Sequence, residues 1–134
     1  DALPICWMKT DQLAVKKALE QVGISHLKHR FVPSLSGGER QLVYLAKAIA
    51  QETDILLLDE PTRGIDVGAK YEIYQLIIDL ANEGKSIIVV SSEMPELFGI
   101  CDRIVVMSDG HVAGIDDVKN LDQEKVMTLA TKYL

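Results

Sequence analysis

The chain has 134 residues, enough for one domain with a buried core, and its 48% hydrophobic against 25% charged composition is that of an ordinary globular protein. A net charge of −6 repels polyanions, and apart from Lys28, His29 and Arg30 the basic residues are dispersed, so no nucleic acid is expected as a direct ligand. No apolar run approaches the roughly 20 residues of a membrane-spanning helix.

Residues 1–11 have neither the basic start nor the apolar core of a signal peptide and form an unplaced edge; the remainder, 12–134, reads as part of a single domain. Cys6 and Cys101 lie far apart without a CxxC pair, which points to a reducing compartment rather than to a disulfide framework or a zinc site. Val15, Ala18, Leu19 and Val22 then recur at helical spacing behind Thr10 and Asp11 as caps, with Gly23 as the stop. Beyond Pro33, Leu42, Leu45, Ala46, Ile49 and Ala50 mark a second helix, started by the capping box of Ser36 and Glu39. Ile55 to Leu58 predicts a strand buried on both faces, with Asp59 and Glu60 at its carboxyl end. A helix from Asp66 to Glu83 turns Ile73, Tyr74, Ile77, Leu80 and Ala81 inward and ends at Gly84, and Ile87 to Val90 predicts another buried strand. That alternation implies an α/β fold with a mostly parallel sheet. Pro95 opens a short helix, Ile104 to Met107 forms a strand, and Asp109-Gly110 turns it into Val112 to Ile115. The tail restarts at Asn120, capped with Gln123, and buries Val126, Leu129, Ala130 and Tyr133.

Two stretches carry chemistry. Four hydrophobic residues ending in Asp59-Glu60 form a Walker B pattern, in which the aspartate helps hold Mg²⁺ and the next acid orients or deprotonates an attacking water; a solvated strand end would look the same. Ser36-Gly37-Gly38 precedes a helix whose exposed amides favour an anion, and glycines admit a phosphate to the backbone. A plain cap explains Ser36 and Glu39 but leaves the paired glycines unused.

In order and spacing, "LSGGERQ" at 35–41, "ILLLDEPTRGID" at 55–66 and "IIVVSSEMPEL" at 87–97 resemble the ATP-binding-cassette ATPases, across roughly residues 12–115. The resemblance implies the C-terminal part of one P-loop-type nucleotide-binding domain, with a helical and signature part over 12–51 and Walker B, D-loop and switch over 52–134. It also implies ATP and Mg²⁺ as cofactors, and a place on the cytoplasmic face of the membrane as a peripheral subunit. Its implied partners are a second cassette, transmembrane permease subunits and, indirectly, a periplasmic or extracellular solute-binding protein. By position, Ser36, Gly37, Gly38 and Glu39 would contact the γ-phosphate of ATP held by the opposite cassette. Asp59 would support Mg²⁺, Glu60 would be the water-activating base, and Asp66 the D-loop acid; Arg63 and Gly64 stand where other cassettes carry small residues. The phosphate-cradling loop G-x-x-x-x-G-K-[ST] does not occur in these residues, so the chain alone is expected neither to bind ATP tightly nor to hydrolyse it. Ser92 stands where most cassettes carry a histidine, and a hydroxyl lacks imidazole's reach and near-neutral pKa; as an alternative, Ser92 caps the following helix.

"PTRGIDVGAKYEIYQLI" with "SSEMPEL" narrows the resemblance to the second cassette of tandem ATPases that energise bacterial monosaccharide import, of galactose, methylgalactoside or ribose type. That cassette's signature completes the competent site of the first, while its own site is degenerate. Upstream, "ALEQVGISHLKHR" through "AQETDILLLDEPT" is more similar to iron-siderophore importer ATPases, and the two resemblances meet near Thr62, as in a divergent relative or a composite. A cassette protein working as a mechanical or regulatory clamp is the rival from another class; its usual coiled-coil insertions or basic arms do not occur in these residues.

Overall fold

The computed structural model describes residues 9–134, in two compact units that divide between Ile88 and Val89. The first unit begins with α1 (Lys9–Gln21), continues through two short 3-10 turns to α2 (Gly37–Ile49), then β1 (Ile55–Asp59), α3 (Val67–Asn82) and β2 (Ser86–Val90), in which the boundary falls. β1 and β2 are hydrogen-bonded neighbours joined through α3, the strand–helix–strand unit expected from the alternation of patterns. Thr10 and Asp11 lie inside α1 rather than capping it, because the helix is already formed at Lys9; Gly23, with φ +75°, ends that segment in the left-handed conformation glycine tolerates. Leu45, Ala46 and Ile49 of α2 pack with Ala18 of α1, Leu56 of β1 and Leu80 of α3 in one apolar core.

Both strand expectations need correction. Leu56 is buried, but Ile55 and Leu57 are 62% and 67% exposed, and β2 alternates between exposed and half-buried residues. Successive side chains of a strand point to opposite faces, so Leu56, Leu58 and Ile87 meet the helices while Ile55, Leu57 and Ile88 lie on a face that no described element of this unit covers. In α3 the inward stripe is Ile73, Leu76, Ile77 and Leu80; Tyr74 is half-buried and Ala81 exposed, since the stripe follows 3.6-residue spacing from Ile73 and passes through Leu76 instead.

The second unit holds α4 (Met94–Ile100), β3 (Arg103–Ser108), β4 (His111–Asp117) and α5 (Gln123–Ala130). β3 and β4 pair antiparallel, and the register shifts between Val106 and Met107, where Ala113 is the extra residue between Val112 and Gly114. Asp109 and Gly110, with φ +44° and +74°, form the two-residue turn that hairpins of right-handed twist prefer. Ile104, Val106 and Val126 form the centre of this unit's core. Asp122 rather than Asn120 caps α5: its carboxylate accepts the Lys125 amide at 2.8 Å, while the Asn120 side chain is spent on Asp116, also at 2.8 Å. That donor and the Asp117 amide hold the Asp116 carboxyl below its ordinary value. Tyr133 lies beyond α5 and is 45% exposed, tilted against His111 with ring centroids 5.2 Å apart, so it does not extend the buried stripe. None of the described helices is long and apolar enough to cross a membrane.

Candidate nucleotide and signature site

The start of α2 is built by reciprocal hydrogen bonds. Ser36 Oγ accepts the Glu39 amide at 3.2 Å and Glu39 Oε2 accepts the Ser36 amide at 2.7 Å, the full capping box expected from S-x-x-E. The Ser36 amide first, and its hydroxyl second, hold the Glu39 carboxyl below its ordinary value. These bonds satisfy the third amide of the helix, whereas the first two helical amides, Gly37 and Gly38, have no acceptor one turn back. Ser36 and Gly37 are exposed; Gly38 is buried. The two glycines therefore differ. A Cβ built on Gly37 would meet nothing within 4 Å, but one on Gly38 would lie 2.8 Å from Ala69 Cβ and 3.8 Å from Ile65 Cγ2.

Asp59 ends β1 and its side chain is exposed, on the same side as Ile55 and Leu57 by strand alternation. Glu60 follows with φ +46°, a left-handed conformation costing a non-glycine residue about 1–2 kcal/mol. Glycine would remove that cost, so an acid kept here is a local expense of the kind found where a side chain has a task. Glu52 shares the conformation, but at the exit of α2, where a left-handed residue commonly terminates a helix. After Glu60 the chain turns tightly: the Arg63 amide donates to the Glu60 carbonyl and the Ile65 amide to the Thr62 carbonyl, both at 3.2 Å, around buried Pro61 and Thr62. Asp66 closes the turn as the N-cap of α3, accepting the Ala69 amide on Oδ1 at 3.1 Å.

The first unit thus brings the Ser36–Glu39 cap against the Asp66–Ala69 cap through Gly38 and Ala69, with Asp59 and Glu60 at the end of β1. Among the described residues no group of three His, Cys, Asp or Glu side chains could hold a metal by itself. Asp59 and Glu60 still suit Mg²⁺ as a donor set, since this hard cation is usually held by one or two carboxylates with the remaining positions filled by phosphate oxygens and water.

Ser92 belongs to the second unit, where it is exposed. The expectation that Ser92 caps the next helix is corrected: the N-cap position of α4 is Glu93, and the Ser91 hydroxyl binds at this corner. Ser91 Oγ accepts the Glu93 amide at 3.0 Å and donates to the carboxylate of Glu96, which is only 2% exposed. Sequence reading missed Ala69, Ser91 and Glu96. A small residue three positions after the Asp66 cap was a usable signal for the first; nothing in the pattern distinguished Ser91 from Ser92. Burial, then Glu96 and Asp102, pushes the Cys101 thiol up, away from a reactive thiolate.

Residues 7–63 match the family described as ABC transporter. The galactose/methyl galactoside import ATP-binding protein MglA of Treponema pallidum is 61% identical over 103 residues, which cover 77% of this chain and 21% of that protein. MglA 2 of Photobacterium profundum is 52% identical over 127 residues, 95% of this chain and 25% of that protein. The chain therefore spans about a fifth to a quarter of the length of these curated relatives. Both matches are long enough that they run across Thr62, so a single kind of relative accounts for both sides of the point where the two resemblances meet. Among solved structures, cbiO1 of Clostridium perfringens, part of the ABC transporter complex cbiONQ, superposes with a TM-score of 0.79 at 31% identity over 92% of this chain and 50% of that one. A nucleotide-free ATP-binding cassette from an ABC transporter shares the fold, with a TM-score of 0.83 at 23% identity over 96% of this chain and 53% of that one. On that fold, residues 7–63 carry an ABC transporter domain, and "LSGGERQ", "ILLLDEPTRGID" and "IIVVSSEMPEL" follow in the order expected of ATP-binding cassettes.

Proposed function

We propose that this chain is the C-terminal part, residues 12–134, of one nucleotide-binding domain of an importer ATPase, and that its main task is to present Ser36 and the Gly37 amide to ATP held by a second cassette. The observation that carries this reading is the asymmetry of the paired glycines. Gly38 is filled from behind by Ala69, while Gly37 is exposed, with open space where its Cβ would be, at a helix start whose dipole favours an anion. Ser36 holds its hydroxyl beside the same point, already oriented by the Glu39 amide.

Asp59 would hold Mg²⁺, which when bound neutralises charge on the nucleotide's terminal phosphates. Glu60 follows it in place to accept a proton from water, and Asp66 joins the turn after Glu60 to α3. With serine at position 92, the chain has no imidazole there to relay a proton near neutral pH, so its own site turns over weakly at most. Membrane partners follow from the importer role: permease subunits that the cassette drives from the cytoplasmic face, and a solute-binding protein that delivers cargo to them. Identity of 51–61% to proteins named for galactose and methyl galactoside import favours a monosaccharide over a ferric siderophore as cargo.

Two measurements test this. The 134-residue chain incubated with MgATP should release phosphate no faster than its Glu60→Gln variant; faster, magnesium-dependent release would refute the half-site reading. In proteoliposomes carrying a galactose-class permease and a Walker A-bearing cassette, the assembly with this chain should take up galactose or methyl galactoside. Uptake of a ferric siderophore instead would overturn the cargo.

A further inference from the structure

The contact between Gly38 and Ala69 joins two segments that the sequence separates by about thirty residues. We propose that Ala69 is a positioning residue for the Ser36–Gly38 loop, so that the starts of α2 and α3 behave as one body whose spacing is set by the missing side chain at 38 and the single methyl at 69. Its consequence for ATP turnover rests on the phosphate-contact role proposed above; the mechanical coupling does not.

A Cβ at position 38 would sit 2.8 Å from Ala69 Cβ, well inside the roughly 3.5–4.0 Å of ordinary carbon contacts. The methyl of Ala69 has no rotamer to change and is fixed to the backbone of α3, so the clash is relieved only by moving the helices apart. Gly114 shows the contrast: the atom nearest its would-be Cβ is a terminal methyl of Leu129 at 2.9 Å, on a side chain that can turn away. Each partner of the Gly38–Ala69 contact is tied to a cap. Gly38 lies between Ser36 and Glu39, which exchange the two capping bonds, and Ala69 donates its own amide to Asp66 Oδ1. The next amide in each helix returns to the capping residue as well, Arg40 to the Ser36 carbonyl and Lys70 to the Asp66 carbonyl, both at 3.0 Å. A displacement at the seam therefore loads both caps, and through Asp66 reaches the turn that begins at Glu60.

Hydrogen exchange on the 134-residue chain tests the coupling. Gly38→Ala should speed exchange at the amides of Glu39 and Arg40 and equally at those of Ala69 and Lys70, by about tenfold, as overpacking a close contact does. Adding Ala69→Gly should return all four amides to within about threefold of the parent. Gly37→Ala, facing open space, should leave Ala69 and Lys70 unchanged. An effect of Gly38→Ala confined to α2, or a double variant no better protected than the single one, would overturn the proposal. If Gly38→Ala does not fold, a double variant with parental circular dichroism supports it and an unfolded double variant refutes it. In an assembly with a Walker A-bearing cassette, Gly38→Ala should lower kcat and Ala69→Gly should restore it, whereas the loss in Gly37→Asp should not be restored. Parent chain that fails to raise the assembly's turnover would refute the phosphate-contact role, while the exchange result still decides the coupling.

Discussion

Replacing Ser36 by alanine deletes one of the two capping bonds at the start of α2 and leaves the other in place. The lost bond is the 3.2 Å contact from the Glu39 amide to the hydroxyl, and the amide of residue 36 still reaches Glu39 Oε2. Removing an N-cap hydroxyl costs about 1 kcal/mol, which at a urea dependence of about 1–3 kcal/mol per molar moves the unfolding midpoint down by about 0.3–1 M. The carboxyl of Glu39 should respond as well. It is held low first by the Ser36 amide and second by the hydroxyl, so Ser36→Ala should raise its pKa only part of the way back to the ordinary glutamate value. A depressed folded-state pKa contributes stability that is present above the unfolded pKa and is lost as pH falls through the folded one. In the parent that loss sets in at the ordinary glutamate value and is complete only below it; in Ser36→Ala it should be smaller and complete at higher pH, and in Glu39→Gln this component should vanish. Urea melts from pH 7 down to the acid limit, with the Glu39 carboxyl followed by NMR, measure both effects. An unchanged Glu39 titration in Ser36→Ala would refute the assignment of the shift to this cap.

Other perturbations separate packing from polar contacts. Leu80 is fully buried among α1, α2 and β1 residues, so Leu80→Ala should cost about 2–5 kcal/mol in denaturant unfolding; a loss below about 1 kcal/mol would mean the site is not packed as described. Ser91→Ala should cost about 1.5–3 kcal/mol in denaturant unfolding, because it takes a hydroxyl donor from the buried carboxylate of Glu96. A loss below about 0.5 kcal/mol would contradict a hydroxyl committed to that carboxylate.

Local signals in the chain were legible where one residue decides the structure by its own chemistry. The S-x-x-E box, the stop at Gly84 and the Asp109-Gly110 turn appear in the fold as read, since caps and tight turns depend on a few neighbouring atoms. Strand burial was not legible in that way. Ile55 to Leu58 reads as an element covered on both faces, yet cover comes from other parts of a fold, and in the described residues of this unit the helices lie against Leu56 and Leu58 alone. The same limit applies to the tail, where Asn120 and Asp122 are both good caps and only the bond from Asn120 to Asp116 leaves α5 to Asp122. At the candidate site, residue types and order single out Ser36, Asp59 and Glu60, and the structure places Ser36 at the cap of α2 and the two acids at the end of β1. The division of labour between Gly37 and Gly38 could not be read from two adjacent identical letters, because it depends on Ala69 arriving from another helix. Likewise, a pair of serines gave no hint that Ser91 would be committed to Glu96.

The central claim is that this chain works through the exposed loop at Ser36 and Gly37 more than through its own Walker B acids. Steady-state MgATP hydrolysis by a Walker A-bearing cassette assembled with this chain tests it most directly, with Gly37→Asp and Glu60→Gln compared side by side. A carboxylate placed at the open Cβ position of Gly37 faces the incoming phosphate and should lower kcat by at least about tenfold, while Glu60→Gln should retain most of the activity. Full activity in Gly37→Asp with activity abolished in Glu60→Gln would contradict the account.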